Sequence, residues 1–210
     1  YGWNVGADGT VYLLSWKSRP STIHQGDKVR FVFAGFHTVT FLGKGAKLPS
    51  LVTLVGPVPA ANDAAGQPFW WAGRRGVGLD PRGLIPSGGT AVRRGRTVNT
   101  GFPHTPKPVT LSFPETGTFV FRCVQHPLMR GVIRVVPKGA AIAPLKAQMG
   151  AGMARQRADI VAAKKKVARE TAMLARKGAT VDVGYGDRTF DAESMLPRTV
   201  TVGAGTTVTF

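Results

Sequence analysis

At 210 residues and 43% hydrophobic content, the chain is long enough for one large or two small packed cores and too apolar for wholesale disorder. Its net charge of +17, from 28 basic against 11 acidic residues, directs it toward acidic surfaces: an acidic partner protein, anionic lipid or an anionic cell-surface polymer. Nucleic acid is not among the expected partners, since no recognition motif is present and the aromatics are not interleaved with the basic clusters; nor is there a run of about 18 apolar residues to span a bilayer.

Val11-Tyr12-Leu13-Leu14 predicts a short strand. Thr22 to Phe31 reads as an extended segment, a Gly26-Asp27 turn and an alternating strand that reaches Phe33. Gly35-Phe36 turns the chain into a second alternating run, His37 to Phe41. Between about 43 and 108 the pattern lapses. Pro68-Phe69-Trp70-Trp71 and the glycine- and arginine-rich stretch Gly73 to Arg96 predict a long loop insertion over the sheet, pinned there by Trp70 and Trp71. Val109 to Phe113 is a strand, Pro114-Glu115-Thr116-Gly117 a turn, Thr118 to Arg122 a further strand, and Gly131 to Val136 the last. Residues 1–137 are therefore expected to be all-β, an antiparallel sandwich.

Residues 138–178 have another character, rich in Ala, Lys, Arg and Met. Met153, Ile160, Val167 and Leu174 recur every seven positions, beside Met149 and Ala163, which predicts a basic amphipathic helical linker with one narrow apolar stripe. Gly178 stops it, with Arg176 and Lys177 in the last turn and Lys164-Lys165-Lys166 on the solvated face. Such a stripe suits packing along a neighbouring domain. From residue 179 strand patterning returns, and Val200 to Phe210 superimposes on Ser21 to Phe31: Ile23 falls on Val202, Gly26 on Gly205, Val29 on Val208 and Phe31 on Phe210. The repeat predicts the start of a second β domain of the same kind over 179–210. Beginning at Tyr1 and stopping inside a strand-like run, the sequence reads as a piece of something longer.

A single cysteine excludes an internal disulfide and leaves Cys123 either packing or chemistry. Cys123, His126 and Met129 lie three apart between two strands, so a thiolate, an imidazole and a thioether can converge on one ion. His37 upstream supplies a second nitrogen. Two nitrogens, one short metal–thiolate bond and one weak axial sulfur form the donor set of a blue copper centre. Zinc is the competing metal, but structural zinc takes four Cys or His ligands and methionine suits it poorly. Singly, Cys123 as packing, Met129 as core filler and His126 as a turn residue are each reasonable; the combination favours a site. His24 and His104 have no partners at ligand spacing and read as surface residues.

The sequence resembles the cupredoxin family, in its small plastocyanin- and amicyanin-like members. The resemblance rests on Gly26-Asp27-x-Val29-x-Phe31, His37-Thr38-Val39-Thr40-Phe41, Phe113-Pro114-Glu115-Thr116-Gly117-Thr118-Phe119 and Cys123-x-x-His126-x-x-Met129-x-Gly131. It covers residues 1–137 and again about 180–210. It implies an eight-stranded Greek-key sandwich with one type 1 copper ion held by His37, Cys123, His126 and Met129. It also implies an electron port at the ring edge of His126, in an apolar setting given by Pro127 and Leu128. Where the family commonly has Asn after the first histidine, this chain has Thr38, whose hydroxyl would make the bond across to the cysteine loop. The implied function is a single-electron carrier outside the cytoplasm (periplasmic, cell-surface or secreted) with an acidic redox partner. The alternative is a copper protein for storage, delivery or sensing. Two-domain copper oxidases and reductases of this kind relay electrons through a histidine beside the cysteine. Here Arg122 and Val124 flank it, and four histidines cannot also furnish a trinuclear cluster, so an enzyme is not expected.

Overall fold

The computed structural model describes residues 2–4, 10–13, 21–33, 36–62, 66–68, 72–102, 108–187 and 189–210. In chain order the strands are β1 (Gly2–Asn4), β2 (Thr10–Leu13), β3 (Ser21–His24), β4 (Lys28–Phe31), β5 (Thr40–Phe41), β6 (Val52–Pro57), β7 (Arg75–Leu79), β8 (Val98–Asn99), β9 (Val109–Ser112), β10 (Gly117–Arg122), β11 (Arg130–Val136), β12 (Asp182–Gly186) and β13 (Phe190–Leu196). Helix α1 (Pro81–Leu84) lies between β7 and β8, and α2 (Leu145–Lys177) between β11 and β12.

Period-two patterning decides which faces meet. Along β10, Phe119 and Phe121 are buried while Thr118 and Arg122 are not; along β11, Gly131, Ile133 and Val135 are the buried positions. The register sets Phe119 opposite Ile133 and Phe121 opposite Gly131. Glycine is required at 131 because a Cβ there would lie 2.1 Å from Phe121 Cζ. These strands belong to a five-stranded sheet ordered β3-β11-β10-β5-β8, and β4 pairs with β9 as a second layer. Rings from the two layers interlock: Phe31 meets Phe121 at 5.4 Å between centroids, and Phe113, just past β9, meets Phe41 at 5.8 Å and Phe119 at 5.6 Å. The chain is thus mostly β, consistent with a sandwich. One pairing departs from the antiparallel expectation: β11 runs parallel to β3. No hairpin links these two strands, so nothing local dictates their relative direction.

The segment expected to be an unpatterned loop is partly ordered. It contains the antiparallel pair β6–β7, the short α1, and β8, which joins the main sheet beside β5. Val92 and Val98 from this segment are fully buried in the same core as the phenylalanines. A two-residue strand and glycines at 76 and 78 leave no periodic signal to read. Trp70 and Trp71 lie outside the described residues.

Helix α2 ends as expected at Gly178, whose φ is +77°. Its buried positions are Gly152, Gln156, Ala163, Val167 and Leu174, spaced four and seven in turn. Met153 and Met149, expected on the apolar stripe, are 49% and 52% exposed. A seven-residue repeat drifts by about 20° per heptad on a straight helix, so a stripe anchored at Val167 and Leu174 has rotated away by Met153. The helix packs on β13 through Ala163, Val167 and Leu174 against Phe190, Ala192 and Leu196. Lys166, placed by the sequence on the solvated face, pairs with Asp187. Residues 10–13, read in sequence with the first domain, here pair with β13, giving a sheet ordered β1-β2-β13-β12. Of the repeat only the turn is matched, since β3 and β4 flank the first copy and, among the described residues, no strand flanks the second. Asp27 N donates to His24 O at 3.1 Å around Gly26 (φ +91°), and Thr206 N donates to Gly203 O at 3.2 Å around Gly205 (φ +82°). Among the described residues no helix is long and apolar enough to cross a membrane.

Candidate metal centre

The turn from β10 to β11 carries Cys123, His126 and Met129, and the ladder grips both of its ends, since Arg122 pairs with Arg130. Inside the turn, Met129 N donates to His126 O (2.8 Å) and Cys123 N donates to Met129 O (3.2 Å), which curls the loop back on itself. His37 approaches just before β5, the neighbour of β10 in the sheet. Cys123 Sγ then lies 3.8 Å from His37 Nδ1 and 3.7 Å from His126 Nδ1, and the three potential ligand atoms are all within 4.8 Å of one another. The two imidazole rings are 5.1 Å apart between centroids.

These spacings fit a shared ion. Bonds of about 2.0–2.1 Å to nitrogen and about 2.3 Å to sulfur place an N and an S roughly 3.6–3.8 Å apart at trigonal to tetrahedral angles. The chemistry fits as well, because one thiol and two imidazoles of mixed softness suit copper. Cys123 is fully buried and Met129 nearly so. Gln125 Oε1, in the same loop, is buried without a hydrogen-bond partner.

Burial keeps both rings neutral at neutral pH. It lowers His37 from its ordinary 6.5 to about 4, helped by the positive charge a protonated His126 would bring. His126 is also lowered by burial, against an upward pull from Asp191. Neutral imidazoles are the form that ligates, so the rings release no proton on binding and the proton to be lost is that of the Cys123 thiol. Between pH 6.5 and about 4 the unfolded chain holds a proton on His37 that the folded chain does not. The metal-free protein is therefore expected to lose stability as pH falls through that window and to level off below it. Urea midpoints measured from pH 7 to 4 check this, and His37→Asn should flatten the slope.

Thr38, expected to bond across to the cysteine loop, does so. Val124 N donates to Thr38 Oγ1 at 2.8 Å, and Thr38 N points at Cys123 Sγ at 3.4 Å. Pro127 and Leu128 are exposed beside His126, Leu128 by 54%, and Phe36 next to His37 by 74%. His24 is not a plain surface residue: its Nε2 donates to Ala140 O at 2.8 Å, because the chain leaving β11 turns back over β3. His104 lies outside the described residues. Sequence reasoning missed Thr40, Asn99 and Thr100, which are buried behind the site. An isolated Asn-Thr pair carries no motif.

No protein-family model matches the sequence, and no curated protein matches it. Among solved structures the chain is similar to an oxidised point mutant of amicyanin, at 15% identity over 60% of this chain and 76% of that one, with a TM-score of 0.26. It is similar also to a reduced tryptophan-to-tyrosine mutant of amicyanin, at 15% identity over 58% and 73%, with a TM-score of 0.24. The Cu(I) form of a methionine-to-alanine mutant of amicyanin gives 14% identity over 62% and 100%, with a TM-score of 0.24. Similarity this loose carries no weight, and the chemistry stands on the residues.

Proposed function

We propose that this protein is a type 1 copper electron carrier that works outside the cytoplasm. One observation carries the reading: a buried thiol with an imidazole nitrogen on each side at 3.7 and 3.8 Å, on a loop that a buried methionine closes. Copper bound there would supply a reversible one-electron change. The chain's own part is to hold the donors still. His37 and His126 are neutral before binding, Thr38 N offers its hydrogen to the sulfur, and the ladder beside the loop resists rearrangement. Met129, buried on the same loop, would be the fourth and weakest donor to the ion. His126, followed by exposed Pro127 and Leu128, is assigned the port through which electrons pass.

The carrier reading is preferred to an enzyme because Arg122 and Val124, not histidines, flank the cysteine. An acidic redox partner is proposed on charge. A groove of about 300 Å³ along β5 and β10 is lined by Arg93, Arg94, Arg96 and Arg122, and Arg122 donates to Pro127 O in the ligand loop. Exchange with such a partner slows as salt rises. The chain is read as a copper-bearing unit to about residue 137, a helical linker to 178 and the opening of a similar unit from 179; the matched turns at Gly26 and Gly205 favour that division, and β1 and β2, which join the sheet of β12 and β13, cross it.

Titration of the metal-free protein with copper tests the reading. One equivalent should bind, give an intense visible band and be reduced and reoxidised reversibly by one electron. Colourless protein that holds Cu(I) and passes it to a chelator would make the function delivery. Failure to bind copper would remove the reading altogether.

A further inference from the structure

We propose that residues 80–101 of the insertion act as a clamp on the metal site, with Thr40 and Asn99 as positioning residues that link the α1 turn to the cysteine loop; the proposal rests on the copper reading above. A buried amide is costly unless its polar atoms are paired. Asn99 is 2% exposed, and its partners come from three places. Nδ2 donates to the carbonyls of Arg82 (3.2 Å) and Gly83 (3.1 Å) in the α1 turn. Oδ1 accepts from Gly101 N (3.1 Å) and from Thr40 Oγ1 (3.0 Å).

Those partners fix every proton in the chain that follows. Carbonyl oxygens only accept, so the Asn99 amide nitrogen faces the turn and its oxygen faces Thr40. Thr40 spends its single hydroxyl proton on that oxygen. The contact between Thr38 Oγ1 and Thr40 Oγ1, at 3.3 Å the loosest link, must then have Thr38 as donor. Thr38 Oγ1 in turn accepts from Val124 N. The result is a one-way relay of hydrogen bonds from the residue after Cys123 to the insertion. With its hydroxyl proton committed, Thr38 has only its backbone N–H to offer the sulfur, at 3.4 Å.

Packing makes a second connection between the same two places. A Cβ on Gly83 would lie 2.8 Å from Val124 Cγ1 and 3.0 Å from Ser50 O, so the α1 turn is pressed against the loop that bears the thiol. Asp80 holds that turn in shape, capping Arg82 N at 2.9 Å and pairing with the Arg82 guanidinium. Thr100 supports the other ligand strand: its Oγ1 accepts from Val39 N at 2.9 Å, and its own N donates to Val39 O at 3.1 Å. The segment between His37 and Thr40 and the segment after Cys123 are therefore referred to one buried amide. Movement of the insertion reaches the thiolate and the first imidazole together.

The test compares Thr40→Val, which keeps shape and removes the hydroxyl, with Thr40→Ser, which restores it. In copper-loaded protein, Thr40→Val should shift the visible band and the reduction potential, and Thr40→Ser should return both toward wild type. In metal-free protein, alkylation of the buried Cys123 thiol by a small maleimide should speed up about tenfold in Thr40→Val, the effect of one lost buried hydrogen bond on local opening, and not in Thr40→Ser. Gly83→Ala, which keeps every donor and acceptor of the relay and pushes on Val124, should also shift the band and stands in should Thr40→Val not fold. An unchanged band, potential and alkylation rate in both variants would overturn the clamp while leaving the copper reading intact. Wild-type protein that binds no copper would overturn the copper reading, and the alkylation rates would still judge the clamp.

Discussion

Copper-loaded Cys123→Ser protein is expected to be colourless, to show the EPR parameters of an ordinary copper site, and to fold as the wild type does. The colour of a copper–thiolate bond comes from charge moving between sulfur and metal, and a serine hydroxyl is harder and stays protonated at neutral pH. The substitution barely changes volume. The buried hydroxyl inherits a donor, because Thr38 N already points at the sulfur from 3.4 Å, so the fold should lose only about 1 kcal/mol. Affinity for copper should fall by more than about a hundredfold, beyond what loss of an outer hydrogen bond to a ligand costs. Visible and EPR spectra beside circular dichroism separate loss of the site from loss of the fold. A variant that stayed intensely coloured would show that Cys123 is not the coordinating sulfur.

Phe113→Ala should destabilise the protein by about 3–5 kcal/mol, seen as a lower denaturant midpoint at unchanged slope. Phe113 is fully buried and touches rings from two strands of the opposite layer, Phe41 and Phe119. Removing it deletes apolar burial and leaves a cavity that β-strands pinned by their ladders cannot easily collapse into. Val32 is its control. It is 69% exposed on the neighbouring strand segment, and Val32→Ala should stay within about 0.5 kcal/mol. A small loss at Phe113 would mean the two layers do not share this core.

What the sequence showed follows from how local each signal is. Three of the proposed donors sit in one turn, so the spacing of Cys123, His126 and Met129 was readable. The Gly26 turn and its echo at Gly205 were readable because a left-handed residue between strands nearly always demands glycine. The end of α2 was readable for the same reason at Gly178. The pairing of β8 with β5 was not, because Val98-Asn99 is too short to show a period and its partners lie far upstream, Thr40 59 positions before Asn99 and Phe41 57 before Val98. The amino half of α2 misled for a different reason. Met153 keeps the heptad spacing of Ile160, Val167 and Leu174, while the buried face follows Gly152 and Gln156, residues that a hydrophobicity pattern passes over. Asn99 was invisible because its importance lies in partners brought to it by the fold, Thr40 from β5 and the carbonyls of Arg82 and Gly83 from the α1 turn.

The two Cys123–histidine contacts span very different lengths of chain, 3 positions to His126 and 86 to His37. Any ion seated among them is therefore a removable crosslink, and its two rings differ greatly in the freedom they deny the unfolded polymer. Closing the short ring costs the denatured chain little, whereas closing the long one forbids most of its extended shapes. His37 is thus the donor through which metal occupancy restrains the whole stretch from residue 37 to 123, and His126 the one through which it restrains only a turn.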